Sequence, residues 1–463
     1  MYLGHRKFNV IGKIKKEDQD YLSCLPDEIL LLILSRLPLI EAGRTSVLSQ
    51  RWKNLWSLIT SRLDFEAPQR MKDMRWGKKG RKEEKLKYIK WVDQTLSSHP
   101  VPEVEELRIC FDLNKAFADS IDRWIEFAAE KRVKRFELDL SNIWGAAPLH
   151  IYAPNLLMPS AIPREDGNNR FYFLTDLALS CVNVSGEVIE SFIANCPSLE
   201  RLSIQRLILL YNLKVAGPSL KLKFLEILKC NCLGKIEISA PNLVLFKYHA
   251  DLNLVTIKNA PLLSNVSFGG GIVHVLCYPS CPLFEYFSQL RILELEMPSW
   301  VLGVFTRSSH IEIPVLDNLK QLELSTMPYY SQCLLFPCLL IKAAPCLQRF
   351  SMKMRFKGLF DNDGEWISRN NFKKLKQKVQ YTHKCLEEVE LIGFNGETSN
   401  VLLGLSLIAI AVNLKKMIID LRPPLLEDGP WKTFISLDLS KAKKGVKKLQ
   451  SKIRPGTELV IVE

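Results

Sequence analysis

An α/β solenoid is the fold class this 463-residue sequence predicts: a short unit of three helices, then a parallel sheet laid down one strand per turn, then a closing module. Three observations predict it. A six-residue pattern, apolar-x-x-apolar-x-apolar, recurs from Val104-Leu107-Ile109 to Leu414-Met417-Ile419 at intervals of 20 to 41 residues. Proline precedes several of these runs, at Pro197, Pro218, Pro241, Pro261 and Pro345, where it sets the bend into a strand and forbids a helix running through it. Ahead of the first repeat, Asp20 to Ser57 packs three helical signals into under forty residues.

That N-terminal unit reads DYLSCLPDEILLLILSRLPLIEAGRTSVLSQRWKNLWS. Pro26 suits a first helical position, Asp27 and Glu28 put negative charge on the positive end of the helix dipole, and Pro38 predicts the stop. Ile29 to Leu34 is apolar on every side, so something beyond this small unit must cover part of it. A second helix is expected around Glu41 to Leu48. A third is capped by Ser49, with Trp52, Leu55 and Trp56 on one side.

Charge is uneven along the chain. Of the net +13, Arg70 to Lys90 contributes +7 and Lys441 to Arg454 another +7, while residues 1–19 add +3. Like charge with two glycines predicts a solvated, mobile linker over 61–85. Basic residues confined to a linker and a terminus argue against a nucleic-acid-binding body, which needs them on a folded face. From Glu84 to Leu96, Tyr88, Ile89, Val92 and Leu96 fall at helical spacing, and the repeats then begin.

Within each repeat the apolar positions face a core, and the residues between them, such as Glu200-Arg201 and Ser203 or Glu387-Glu388 and Glu390, face outward on a shared concave sheet. The outer side varies. Asp119 to Glu130 and Ser185 to Asn195 have helical periodicity, whereas the central repeats shorten and Lys235 to Ile238 and Val255 to Ile257 alternate like strands. Helices are therefore expected behind the ends of the sheet and short strands behind its centre. Near the C-terminus an almost uncharged helix, Val401 to Val412, predicts deep cover, and Glu458 to Val462 a last strand.

Taken together, Leu25-Pro26-Asp27-Glu28, Ile33 to Pro38, Arg44 to Ser49 and Arg51 to Trp56 resemble an F-box, and the Leu-x-x-Leu-x-Leu cores match leucine-rich repeats. Leu386 to Leu391, Gly393-Phe394-Asn395-Gly396 and Leu414 to Met417 resemble the FBD module, although that family tends to carry acidic residues in the helix that is uncharged here. The chain is thus identified as similar to plant F-box proteins with leucine-rich repeats and an FBD end. Its expected organisation is a basic tail at 1–19, the F-box at 20–60, a basic linker at 61–85, a leucine-rich-repeat solenoid at 86–382 and an FBD-like cap at 383–463. The resemblance implies a non-catalytic substrate-recognition subunit of an SCF-type (Skp-cullin-F-box) ubiquitin ligase, docking on a Skp-type adaptor of the cullin–RING assembly and holding a protein target on the repeats. Leu25, Pro26, Leu30, Leu48 and Trp52 are the expected adaptor-binding residues, being apolar groups this small unit cannot all bury. The alternatives are a repeat scaffold that recruits no ligase and a nucleic-acid binder working through the basic segments.

Chemistry-bearing motifs do not offset this reading. The seven histidines never fall at metal-ligand spacing, HExxH, GxxxxGK[ST], GxGxxG and GxSxG patterns do not occur, and the twelve cysteines contain no CxxC pair. Catalytic residues, cofactor and metal are accordingly expected to be none, with His249 and His274 structural and the cysteines free thiols of a reducing compartment. Residues 1–20 lack the apolar core of a secretory signal, and the longest apolar run is too short to span a bilayer of about 30 Å, so the expected location is cytoplasm or nucleus, with no membrane partner.

Overall fold

The computed structural model describes residues 24–59, 61–146, 150–154, 171–217, 220–250, 254–275, 283–298, 313–326, 335–354, 381–422 and 439–463. The basic tail at 1–19 lies outside them. Helices α1 (Asp27–Leu34), α2 (Leu39–Arg44) and α3 (Gln50–Leu55) form the N-terminal unit. Pro26 and Pro38 are the N-caps of α1 and α2, where a missing N–H costs nothing, and Ser49 Oγ caps α3 by accepting from Trp52 N at 3.3 Å. The first helix ends before Pro38, which starts the next helix rather than stopping the last.

Seventeen strands follow among the described residues. The first are β1 (Arg62–Glu66), β2 (Glu106–Cys110), β3 (Arg135–Asp139), β4 (Asp176–Ser180) and β5 (Arg201–Gln205). The central ones are β6 (Asn212–Ala216), β7 (Phe224–Leu228), β8 (Lys235–Ser239), β9 (Leu245–His249), β10 (Leu254–Asn259) and β11 (Asn265–Gly269). The last are β12 (Ile292–Met297), β13 (Gln321–Thr326), β14 (Arg349–Met354), β15 (Glu388–Ile392), β16 (Lys416–Asp420) and β17 (Glu458–Val462). Fourteen make one parallel sheet in chain order, and β6, β8 and β10 leave it to form a second, three-stranded parallel sheet. Every main-sheet strand pairs with its successor in the same register, so Leu107, Phe136, Leu177, Leu202, Leu225 and Phe246 line one buried row.

What backs the sheet changes along it. Helices α4 (Pro68–Arg75), α5 (Arg81–Ser97), α6 (Ala118–Glu130) and α7 (Gly186–Asn195) belong to the first turns, the three-stranded sheet to the short central turns, and α8 (Leu335–Ala343), α9 (Thr398–Ile410) and α10 (Leu439–Gln450) to the last. A 20-residue turn has no room for a helix between two strands and the loops that join them. α9 buries Val401, Leu403, Gly404, Leu407 and Ile408, and α10 lies across it, with Leu449 against Gly404. The uncharged helix is covered, as its sequence demands.

The stretch 61–85 corrects the expected mobile linker. It holds β1, the first strand of the main sheet, then α4 and the start of α5. Leu63 and Phe65 alternate into the core, Met71 and Met74 bury one side of α4, and Tyr88 Oη donates to the Phe65 carbonyl at 2.6 Å. Four apolar anchors at strand and helix spacing outweigh the like charge, because most of the cations fit on the outward side and the largely buried Lys85 pairs with Asp112 at 2.8 Å. The F-box unit is seated on this end of the solenoid: Leu39 joins the main core, and His99 Nε2 lies 2.9 Å from the Ile59 carbonyl oxygen.

Candidate docking surfaces

Two surfaces are the candidates for partner binding, the apolar side of the N-terminal helices and the outward face of the main sheet. The N-terminal unit has its own small core of Leu30, Leu34, Ala42, Trp52, Leu55 and Ile59, with Leu25, Leu31 and Trp56 packed on it. Arg51 locks the arrangement, its guanidinium donating to the Leu25 carbonyl at 2.6 Å and to Asp27 Oδ1 at 2.7 Å.

That core uses only one side of α1. Ile29, Leu32 and Ile33, at i, i+3 and i+4, form the opposite side and are 43%, 55% and 36% exposed. Leu37, Val47, Leu48 and Leu58 are exposed as well, so seven of the twenty large apolar side chains exposed among the described residues fall between positions 29 and 58. Such density in one small unit marks an interaction site rather than scattered surface apolars.

Of the five expected adaptor residues, Pro26 and Leu48 are exposed and Leu25 is half-buried. Leu30 and Trp52 are not on the surface: both sit inside the small core. Ile29, Leu32, Ile33, Leu37 and Val47, outside the expected five, are exposed. Spacing could not separate the two sides of a helix that is apolar all round.

The outward sheet face is polar and laddered with ion pairs. Glu106 bridges Arg62 at 3.1 Å and Arg135 at 3.2 Å, Arg201 pairs with Asp176 at 3.1 Å, and Arg108 sits between Glu66 at 2.7 Å and Glu137 at 2.9 Å. Farther along, Lys247 reaches Glu226, Lys353 pairs with Glu323, and Arg349 contacts Glu390 at 3.1 Å. Near the strand ends of the first turns a cavity of about 240 Å³ is lined by Glu66, Arg108, Asp139, Ser141, Gln205 and Arg206. Burial, reinforced by Glu137, pushes the Cys110 thiol at its edge well above the ordinary range, so that sulfur is a neutral lining atom and not a nucleophile.

His249 lies flat across the middle of this face, Nδ1 3.1 Å from Glu296 and Nε2 3.2 Å from Ser267 Oγ. Gly269 beneath it leaves the space, since a Cβ there would stand 2.6 Å from Nδ1. The neighbouring strands β9 and β12 pair on both sides of Ser267 and use the backbone groups around it, so no pair of free N–H donors faces that hydroxyl. This is a strand-to-strand joint, like His383, whose Nε2 is 2.8 Å from the Ala344 oxygen and whose Nδ1 accepts from Leu386 N at 3.0 Å. The side chain of His274 lies outside the described residues. Among the described residues no three His, Cys, Asp or Glu side chains gather as a metal site, and no helix is long and apolar enough to cross a membrane.

Comparison with known proteins agrees with this architecture. Residues 22–62 match the F-box domain, and residues 164–449 match the LRR domain described as At1g61320/AtMIF1. Among relatives from Arabidopsis thaliana, F-box/FBD/LRR-repeat protein At5g22660 is 28% identical over 266 residues, covering 54% of this chain and 56% of the relative. F-box/LRR-repeat protein At2g42730 is 30% identical over 243 residues, 50% of this chain and 52% of its own length. F-box/LRR-repeat protein At3g26922 is 28% identical over 270 residues, 53% of this chain and 81% of that one. The chain thus spans about half the length of the first two.

Proposed function

Because this chain belongs to the F-box proteins with leucine-rich repeats, we propose that it is the substrate-receptor subunit of an SCF-type ubiquitin ligase, its F-box docking on a Skp-type adaptor and its repeats holding a protein target. One observation carries the docking half of the reading. The F-box folds around its own core and still leaves Ile29, Leu32 and Ile33 in water on one side of α1, with Leu37, Val47 and Leu48 nearby in sequence. A groove in an adaptor lined with apolar side chains would recover that surface in the helix-in-groove manner. Pro26 and Leu48, with Leu25 at the edge, contribute from the expected set. Leu30 and Trp52 act as supports.

In this role the chain performs no bond chemistry. It raises the effective concentration of a target lysine near a conjugating enzyme's thioester, and an ordered sheet seated against the F-box suits that task, because a floppy tether would lower the effective concentration it creates. Strands β15, β16 and β17 extend the same sheet, and in this reading the segment from His383 serves as its C-terminal cap. Work takes place in cytoplasm or nucleus, where such ligases assemble.

The test is co-purification of the full chain with a Skp-type adaptor and cullin. Stoichiometric recovery that is lost on Leu32→Asp with Ile33→Asp supports the assignment. A folded chain that recovers no adaptor leaves the repeat scaffold without ligase recruitment as the reading.

A further inference from the structure

The correction at 61–85 changes what its charge can do. Arg70 to Lys90 carries ten basic and three acidic residues, and these now stand on folded helices and the turn between them. Lys72, Lys78, Arg81, Lys82 and Lys90 are all exposed, and none makes a salt bridge among the described residues. The acidic residues are spent locally: Asp73 pairs with Lys79 at 3.3 Å, and Glu83 and Glu84 with Lys87 at 2.6 and 3.4 Å.

Two exposed indoles share another cation of the same stretch. The Arg75 guanidinium lies 4.6 Å from the Trp144 ring centre and 5.9 Å from that of Trp76. Trp76 is 67% and Trp144 57% exposed, an unusual state for two large indoles at adjoining positions. The loop that presents Trp144 is fixed: Asn142 Oδ1 accepts from Trp144 N at 2.8 Å and Ala146 N at 3.1 Å, and Asn142 N donates to the Ala146 carbonyl at 2.8 Å. A rigid platform loses little entropy on receiving a flat ring.

We propose that the α4–α5 turn together with Trp144 is a docking surface for single-stranded nucleic acid, bases stacking on the indoles and phosphates meeting the unpaired lysines and Arg81. Cations alone would suit an acidic polypeptide equally well. The exposed indoles decide between them, because a nucleobase has a π-face to stack and a glutamate chain does not. The surface is independent of the F-box apolar side, so either can fail without the other.

Fluorescence anisotropy of the full chain with labelled twelve-nucleotide oligouridylate and oligothymidylate, a DNA duplex of the same length and a twelve-residue polyglutamate tests this. Both single strands should bind, with log K falling by about 0.7 per log salt for each phosphate met, so four contacts lose about fiftyfold between 50 and 200 mM salt. Preference for one of the two strands would name RNA or DNA as the natural source. Trp144→Ala should weaken binding at least about fivefold with the salt slope unchanged, and Trp144→Phe should restore part of it. Lys78→Gln with Lys82→Gln should instead flatten the slope by about 1.4. All these side chains are exposed, so the melting temperature serves as the control for folding. No binding at 50 mM salt, a preference for the duplex, or polyglutamate bound as tightly and indifferent to Trp144→Ala would each overturn the proposal.

Discussion

Removing the exposed side of α1 while leaving its core side intact separates docking from folding. Ile29, Leu32 and Ile33 together leave about one and a third side chains' worth of apolar surface in water. Covering a whole aliphatic side chain is worth about 1.5–3 kcal/mol, so an adaptor that covers all three gains about 2–4 kcal/mol from them. The triple change Ile29→Ala, Leu32→Ala, Ile33→Ala should therefore weaken adaptor binding thirty- to several-hundredfold, since each 1.4 kcal/mol is a factor of ten. Stability should fall by no more than about 1.5 kcal/mol in total, because exposed substitutions typically stay within about 0.5 kcal/mol each. Leu30→Ala is the counterpart: fully buried, it should cost the F-box about 2–5 kcal/mol of stability and impair binding only through unfolding. Titration calorimetry against purified adaptor, beside thermal unfolding followed by tryptophan fluorescence, reads both. An unchanged Kd in the folded triple variant would refute the docking surface, and a stable Leu30→Ala that loses binding would mean the two sides of α1 have been interchanged.

Three further outcomes follow from the same packing. Gly396 has φ +75°, and a Cβ there would stand 2.2 Å from the Lys441 backbone oxygen, so Gly396→Ala should push α10 off α9, seen as faster hydrogen exchange across 439–463 with little change over 201–249. Alkylation at pH 8 should label Cys24, Cys232 and Cys385 first, with Cys181 and Cys230 protected because burial pushes both up to about 11 and Cys338 protected because burial pushes it up to about 12; since these folded values lie above the unfolded thiol range near 9, their stabilising contribution is whole below pH 9 and declines as pH rises towards 11, which melting curves at pH 8 and 10.5 would show. Ending the chain before His383 strips β15 from β14 and bares Leu347, Phe350 and Met352 beside an open ladder, so light scattering should report association and the melt should broaden; a sharp monomeric melt would make the terminal module a separate domain rather than a cap.

How much of this was legible in the sequence depends on what each signal measures. The leucine pattern reports burial on one face of a strand, and twelve recurrences leave the main sheet and its order little freedom. The outward joints were not legible, because a bond such as that between His249 and Glu296 joins strands whose positions differ by 47 residues and depends on Gly269 being bare. For α1 the difficulty was different. Six consecutive apolar residues carry no moment, and only the positions of Trp52 and Leu55 on α3 decide that Leu30 and Leu34 turn inward while Ile29, Leu32 and Ile33 do not.

The basic stretch at 61–85 is the opposite case, where composition points to a tether and spacing to ordered elements. Leu63 and Phe65 alternate, and Met71 and Met74 lie three apart, a pattern that needs only one side of each element to be apolar. Most of the cations then fill the remaining sides, since Lys and Arg lay their stems on apolar surface and keep their charges in water, and the largely buried Lys85 is paired with Asp112. Net charge by itself therefore says nothing about order. It becomes informative once the buried side of each helix is identified, and here that step moves the seven net positive charges of residues 70–90 from an expected tether to folded helices that carry the exposed Trp76, against which a partner with regularly spaced negative charge can be matched.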